Sequence, residues 1–556
     1  KNGIIAVALP AETKTDAGQV VFLNAAGDVL GSVNVGSLPD MLTFTPDGSK
    51  VLVANEGEPS EGFAVNPKGS ISIIDLSIEG DDFSASVRTA DFTAFDGQEN
   101  ALRSEGVRIF EGQSVSDDVE PEYIAVTPDG TKALVTLQEA NAVAIVDIAS
   151  ATVSEIVPLG GKSFANLLAD FSDRDGAGGD EAINLTTGNP VIGQFMPDAI
   201  SSYTAGDGNT YFVTANEGDD RDDFLSTAET IRLKDGDYKL DPDTYPNAAE
   251  LKDDADLGRL NVSNAALLNG DTDGDGDVDQ ILTYGARSFS ILDADGKMIF
   301  DSGDAIERIV ATEFPELFDD GRSDSKGPEP EGVTVAEIGG RSYAFVGLER
   351  SNLSLVFDVT DPTNVTYTTA ATTDGDEAPE GTLVISAADS PTGEALYISP
   401  NEASNTLSIY EATVAEPEPF TLELLHFSDQ EGAANAIEDA PNLSAVLNAL
   451  RAQDLGNDGI ADNTLTISSG DLFIPGIFGN ASTALYGAAG IADIQIQNEL
   501  GIQASALGNH DFDYGTAALA GLISGSAGEG TSAGGMILGK DFSGTAFPYL
   551  SSNLIF

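Results

Sequence analysis

Three short segments late in the chain gather side chains able to do chemistry: Ser428-Asp429-Gln430-Glu431, Gly470-Asp471 and Gly508-Asn509-His510-Asp511-Phe512-Asp513. Each follows an apolar run that reads as a strand. In sheets with βαβ crossovers the strand tips cluster, so three distant segments can assemble one site. A fourth segment, DTDGDGDVDQ, sets Asp271, Asp273, Asp275, Asp277 and Asp279 at alternating positions, with glycines that permit a tight loop. Carboxylates in that pattern suit Ca²⁺; the alternative is a solvated acidic turn. The segment DFSDRDGAGGDE from Asp170 is a weaker case of the same kind. With no cysteine and only His426 and His510 in 556 residues, thiolate chemistry is excluded and oxygen ligands remain.

The elements that must position these groups divide into two textures. Up to residue 411, short β-branched and aromatic runs alternate with Gly, Asp and Pro turns, which predicts an all-β region. A unit recurs in it, with clear copies at Leu38, Glu120, Met196, Glu329 and Ala378: a Pro followed by an acid, a strand, a turn, and a second strand ending in an acid. Third strands such as NAVAIVDIA follow, which suits propeller blades. With the opening NGIIAVALPAE and the run from Ile281, the count is about seven blades. The chain is expected to begin inside one, because Lys1-Asn2-Gly3 stands where other copies have their hairpin turn.

Antiparallel pairing puts both acids of a unit at one rim. If these are inner strands, Asp40, Glu122, Asp198, Glu331 and Glu380 ring one mouth, joined by Glu56, Glu139, Glu217, Glu349 and Glu402. Two roles stay open for them: ligands to a hard cation, or turn caps and partners of Arg221, Arg350 and similar bases.

Residues 412–419 read as a Pro- and Glu-rich linker. From 420 to 556 strands alternate with helices, and Leu443, Val446, Leu447 and Leu450 fall at i, i+3, i+4 and i+7, predicting an α/β domain. His426 reads as a residue packed within its strand.

Lys and Arg number 25 against 92 Asp and Glu, a net charge of −67. Such a field repels nucleic acid and anionic membranes and fits a solvated acidic surface, partly held down by divalent cations. No apolar run approaches the ~18 residues of a membrane helix.

The order Asp-x-Glu, Gly-Asp, Gly-Asn-His-Asp-Phe-Asp resembles the opening motifs of calcineurin-like metallophosphoesterases. LLHFSDQEG and ALGNHDFDYG are most similar to their 5′-nucleotidase and alkaline-phosphatase branch. The resemblance implies a secreted phosphomonoesterase acting on small-molecule phosphate esters such as nucleotides. Two divalent metals (Mn, Ca, Mg or Zn) would be held by Asp429, Asp471 and Asn509, with His510 at the phosphoryl group and Asp513 orienting its imidazole. Glu431 stands where that family usually has His, which favours hard metals over zinc. The family's later histidines are absent, so the polypeptide is expected to continue past Phe556 and this piece alone to have little activity.

The DTDGDGDVDQ loop departs from the EF-hand pattern, since its twelfth position from Asp271 is Leu282. The phrases PEPEGVTV, ANEGE and TPDGTKALV resemble the β-propeller modules of bacterial secreted proteins described as choice-of-anchor domains.

The expectation is therefore a multidomain protein, an all-β propeller followed by part of a metallophosphoesterase domain, placed outside the cell, at its surface or in the periplasm. The alternative is a non-catalytic calcium-binding scaffold or filament or surface-layer subunit, capable of self-association. Hydrolysis at the acidic mouth itself ranks last, for want of a nucleophile.

Overall fold

The computed structural model describes residues 1–79, 82–222, 225, 228–414, 422–429, 434–453, 463–528 and 541–551. It divides into two compact units, Lys1–Val414 and Ala415–Phe556. Glu431 and most of the 412–419 stretch lie outside the described residues, and Ala412 closes a strand rather than opening a linker.

The first unit is a β-propeller of six blades among the described residues. Blade 1 comprises Ile4–Leu9, Ala17–Asn24 and Val29–Ser37. Blades 2 to 5 are four-stranded antiparallel sheets whose first strands are Pro39–Phe44, Pro121–Val126, Ile200–Thr204 and Pro330–Ile338. Blade 6 comprises Leu383–Ile385, Ala395–Asn401 and Thr406–Ala412. First strands of successive blades from 2 to 6 lie side by side, so they are the inner strands.

Each blade packs on the next through a shared apolar cluster. Val20, Phe22 and Val53 join blades 1 and 2, and Leu52, Ile71, Val135 and Ala144 join blades 2 and 3. Leu134, Phe212 and Leu292 join blades 3 and 4, Val213, Phe289 and Val346 join 4 and 5, and Phe345 and Tyr397 join 5 and 6. The alternating burial of each strand supplies one layer to each side, at ~1.5–3 kcal/mol per large side chain removed from water.

The expected count of about seven is corrected here. The run from Ile281 is not a separate blade: Ser288–Asp293 and Met298–Asp301 are the outer strands of blade 4, paired to Thr210–Asn216 across an insertion. That insertion shares an apolar core with the 159–199 connection, Leu233, Tyr238, Leu260 and Ile281 packing with Phe164 and Val191.

In blades 2 to 5 the turns between first and second strands, and between third and fourth, are short hairpins. Every long segment (56–69, 92–120, 159–199, 217–287 and 302–329) leaves from the other rim, the one where the paired acids lie.

The second unit is a parallel sheet in the order Leu422–Phe427, Asn463–Ser468, Ala504–Ala506, Tyr549–Leu550, with helices that include Ala434–Arg451 and Ile491–Leu500. Of the four residues that defined the first helix in sequence, Leu447 alone is fully buried. His426 lies on its strand, as expected, but is exposed rather than packed.

Arg287, 2% exposed, ties the insertion to the connection that follows blade 4: it donates to Glu307 (2.7 Å) and to the carbonyls of Ser323 (2.7 Å) and Ser325 (3.0 Å). Its guanidinium also covers the Phe171 ring. Arg287→Met strands Glu307 in the interior and should cost about 3–5 kcal/mol, read as a lower urea midpoint. Adding Glu307→Gln should recover part of that loss.

Candidate functional site

The acidic rim is built by a repeated backbone device. Leu38, Met196, Glu329 and Ala378, each just before the proline of its unit, adopt positive φ of 46°, 44°, 51° and 59°. In non-glycine residues that conformation costs on the order of 1–3 kcal/mol and is held only where surroundings impose it. Here the imposed bond is visible. The carbonyls of Leu38, Glu329 and Ala378 accept the N–H of Glu56 (3.0 Å), Glu349 (3.0 Å) and Glu402 (2.8 Å), and that of Met196 accepts Gly218 N–H (3.0 Å). The two acids of one unit are thereby clamped to one end of the blade.

Asparagines at the start of third strands staple one blade to the next. Asn141 Oδ1 accepts Met196 N–H (2.9 Å), and Asn352 Oδ1 accepts Ala378 N–H (3.0 Å).

The acids converge on one mouth, each raising the proton affinity of others across it. Burial, then Asp40 and Glu139, pushes Glu56 up to about 9. Burial, then Glu217, Asp198 and Glu349, pushes Glu331 up to about 10. Glu122 and Asp198 are raised well above the carboxylate range by burial and by neighbours that include Asp40 and Glu139. Glu139 is pushed up to about 7 by burial, against the opposing pull of Arg221. Asp40, Glu380 and Glu402 are the exposed members, and Glu122 and Glu139 the buried ones.

Bases neutralise part of this ring. Lys326 lies 2.6 Å from Glu217 and 3.5 Å from Glu329, Arg322 bonds Glu329 (2.6 Å), and Arg350 reaches Glu349 (3.0 Å) and Glu329 (3.4 Å). Arg350 thus takes the pairing role open to it in sequence. Arg221 is spent on Asp118 and Glu120 (3.4 Å), beneath the insertions.

In the DTDGDGDVDQ loop, oxygens of Asp271, Asp273 and Asp279 lie within 4.8 Å of one another, and so do those of Asp241, Asp277 and Asp279. Asp275 belongs to neither group; its carboxylate accepts Asp277 N–H (3.1 Å). Asp271 closes the loop by accepting Gly274 N–H (2.7 Å) and Gly276 N–H (3.0 Å). Asp241 was invisible in sequence because a parallel bridge between Leu240 and Val278 brings it in. The Asp170 segment is used otherwise: Asp173 pairs with Arg259 (2.6 Å), and Asp170 accepts Asn184 N–H (2.6 Å).

In the second unit, Asp429 N–H donates to Gly470 O (3.3 Å), and Asp471 Oδ1 accepts His510 N–H (2.7 Å), so the three strand tips do meet. A Cβ on Gly508 would lie 2.2 Å from Asp471 Oδ1, which is why glycine stands there. His510 Nδ1 lies 2.8 Å from Asp513, and Asn509 opens the same short turn. The hub is Asp511, which the sequence did not single out: fully buried, it accepts the N–H groups of Gly508 (2.9 Å), Leu472 (3.1 Å) and Asp471 (3.2 Å). Among the described residues, neither Asp429 nor Asp471 belongs to any of the groups of three acidic or imidazole side chains close enough to share an ion.

Six antiparallel blades with an acidic mouth define the first unit as a β-propeller. The chain belongs to the Choice-of-anchor I domain family, which matches residues 1–362. It is 40% identical over 115 residues to Gigasin-3a of Magallana gigas, covering 18% of this chain and 39% of that protein. It is 28% identical over 240 residues to the Mesenchyme-specific cell surface glycoprotein of Strongylocentrotus purpuratus, covering 37% of this chain and 30% of that one. The chain thus spans well under half the length of each relative. Among solved structures it is similar to the Myceliophteria thermophila Cps50 (Swd1) beta-propeller domain, with 8% identity, a TM-score of 0.29, and coverage of 74% of this chain and 93% of that one.

Family membership overturns the expectation of a phosphoesterase: most of the chain is a Choice-of-anchor I domain with a propeller fold. Among the described residues no helix is long and apolar enough to cross a membrane.

A pH dependence follows from the mouth. Folding raises the proton affinity of Glu56, Glu139 and Glu331 above the ordinary 4.5, so the folded protein keeps protons that the unfolded chain has released. In chelator, the stability these three groups contribute should therefore be full below about pH 4.5 and be lost as pH rises toward about 10. Glu139→Gln should flatten the part of that fall between about 4.5 and about 7. Thermal unfolding midpoints across pH check both, and a midpoint that rises with pH through this window would contradict them.

Proposed function

We propose that this chain is a non-catalytic, calcium-binding protein of the cell surface or extracellular space, serving as a scaffold or surface-layer subunit. What carries the calcium part is the joining of a remote aspartate, Asp241, to Asp277 and Asp279 in a loop whose other end gathers Asp271 and Asp273. A merely solvated turn has no need of a distant carboxylate, whose repulsion it must then bear. Calcium takes six to eight oxygens at about 2.3–2.6 Å, and carboxylates grouped this closely on a glycine-bearing loop suit it. Family membership and the cell surface glycoprotein among the relatives support the location. The net charge of −67 supports it further, since such a surface is kept soluble and compact by the salt and divalent ions of an extracellular medium. Self-association through calcium-screened acidic faces is the partner this reading favours.

Extracellular modules bind calcium at about 10⁻⁴–10⁻³ M, and a ligand at a hundred times its Kd stabilises by about 2.7 kcal/mol. The chelated full chain should therefore gain several degrees in Tm in excess calcium. Asp271→Asn with Asp279→Asn should lower the bound calcium, measured by titration calorimetry, by at least one equivalent. Unchanged calcium content in that double variant would remove the loop from the proposal.

A further inference from the structure

We propose that the propeller mouth holds a second, independent divalent-cation site, formed by Asp40, Glu56 and Glu122 beside the buried carboxylate of Glu139, and that calcium is its occupant. These residues are separate from the Asp271–Asp279 loop, so the site stands or falls apart from it.

Three observations converge. One oxygen from each of Asp40, Glu56 and Glu122 lies within 4.8 Å of the others, although the three come from blades 2 and 3 and from both strand positions of a unit. Ca²⁺ accepts six to eight oxygens in variable geometry and so tolerates carboxylates drawn from two blades, whereas Mg²⁺ demands a near-ideal octahedron and keeps several of its waters.

Beside them, Glu139 is 8% exposed and its Oε2 is fully buried with no hydrogen-bond partner. Its charge is the strongest of those acting on Glu122 and also acts on Glu56, so it faces these groups. A buried carboxylate oxygen left without a donor costs on the order of 1–3 kcal/mol, more when charged, and a cation removes that cost.

The third observation is an internal control. Across the mouth, Glu217, Glu329 and Glu349 make the same kind of three-oxygen group, drawn from blades 4 and 5. There the positive charge is supplied by protein: Lys326 reaches Glu217 and Glu329, with Arg322 and Arg350 beside it. Among the described residues no ion pair involves Asp40, Glu56, Glu122, Glu139 or Asp198. The nearest bases form their ion pairs elsewhere, Lys14 with Glu58 (2.6 Å) and Arg221 with Asp118 and Glu120, and act on Glu56 and Glu139 only as charges at a distance. The fold has therefore settled one half of the mouth with an ammonium and two guanidinium groups and left the other half shaped for an ion from solution.

The test uses the full chain carrying Asp271→Asn and Asp279→Asn, so that the loop is silent, with calcium chloride as the probe. Calorimetric titration of this background should still show a saturable calcium site. Glu122→Gln, which keeps side-chain shape and removes one charge, should weaken its affinity at least tenfold, and so should Glu139→Gln. In chelator both variants should unfold at the same or a higher temperature than their parent, because a like-charge contact is relieved, so weaker binding cannot be ascribed to misfolding. Tyr123, whose phenol feels the charges of Asp198 and Asp40, adds a local readout. Terbium bound in the mouth should show tyrosine-sensitised emission that falls severalfold in Tyr123→Phe while calcium affinity stays unchanged. Calcium affinity indifferent to both glutamine variants, or no calcium uptake by the loop-silenced chain, overturns the proposal. Tighter binding of magnesium than of calcium overturns the choice of ion.

Discussion

Carboxylates that converge in a partly buried space must keep their protons, meet bases or meet a cation, and the blade design of this protein forces that choice repeatedly. The hydrogen bond from the second acid's N–H back to the residue before the proline is the cause, because it leaves both side chains of a unit at one rim. The positive φ of Leu38, Met196, Glu329 and Ala378 is the conformational strain that accompanies it. A propeller could avoid the repulsion with a different residue at either position; this one repeats the arrangement around the ring.

The distribution of long connections follows the same polarity. Hairpins at the far rim are tight turns in which an aspartate closes its own loop, as Asp47 does with Ser49 and Asp129 with Thr131. At the acidic rim the connections grow into insertions, two of which share an apolar core, and these carry the bases Lys326, Arg322 and Arg221. The insertions are thus electrostatic as well as steric, enclosing the mouth and deciding which of its acids are neutralised by protein.

Much of this was legible in sequence, and the failures have physical causes. Pro-acid pairs, TPDG turns and acid-terminated strands signalled blades and a common rim, because antiparallel pairing converts their spacing directly into position. The blade count failed where residues 217–287 split blade 4, since nothing local says that two strands far apart in sequence pair with each other. Asp241 joined the aspartate loop through one bridge between remote segments, and Asp511 lay hidden in a motif offering several acids, of which only the fold shows which one turns inward. The phosphoesterase expectation rested on short motifs at strand tips. The tips do meet, yet motif order speaks for a chemistry only when the rest of the chain belongs with it, and most of this chain belongs to a Choice-of-anchor I domain.

The scarcity of bases connects the interior to the setting. Of 25 lysines and arginines, Arg108, Arg221, Arg287 and Lys162 are buried, each beside an acid: Arg108 with Glu229, Arg221 with Asp118 and Glu120, Arg287 with Glu307 and Lys162 with Asp301. Buried ion pairs of this kind return little net stability but are costly to break, so these cations are fixed in place and unavailable to the surface. Surface acids are then left to mutual repulsion, which grows as salt is withdrawn and shrinks as ions screen or bind them. On the calcium-binding reading proposed above, a chain that uses its few positive charges to hold insertions onto a propeller, and leaves most of its acids to solvent, would draw part of its compactness from cations that its surroundings supply.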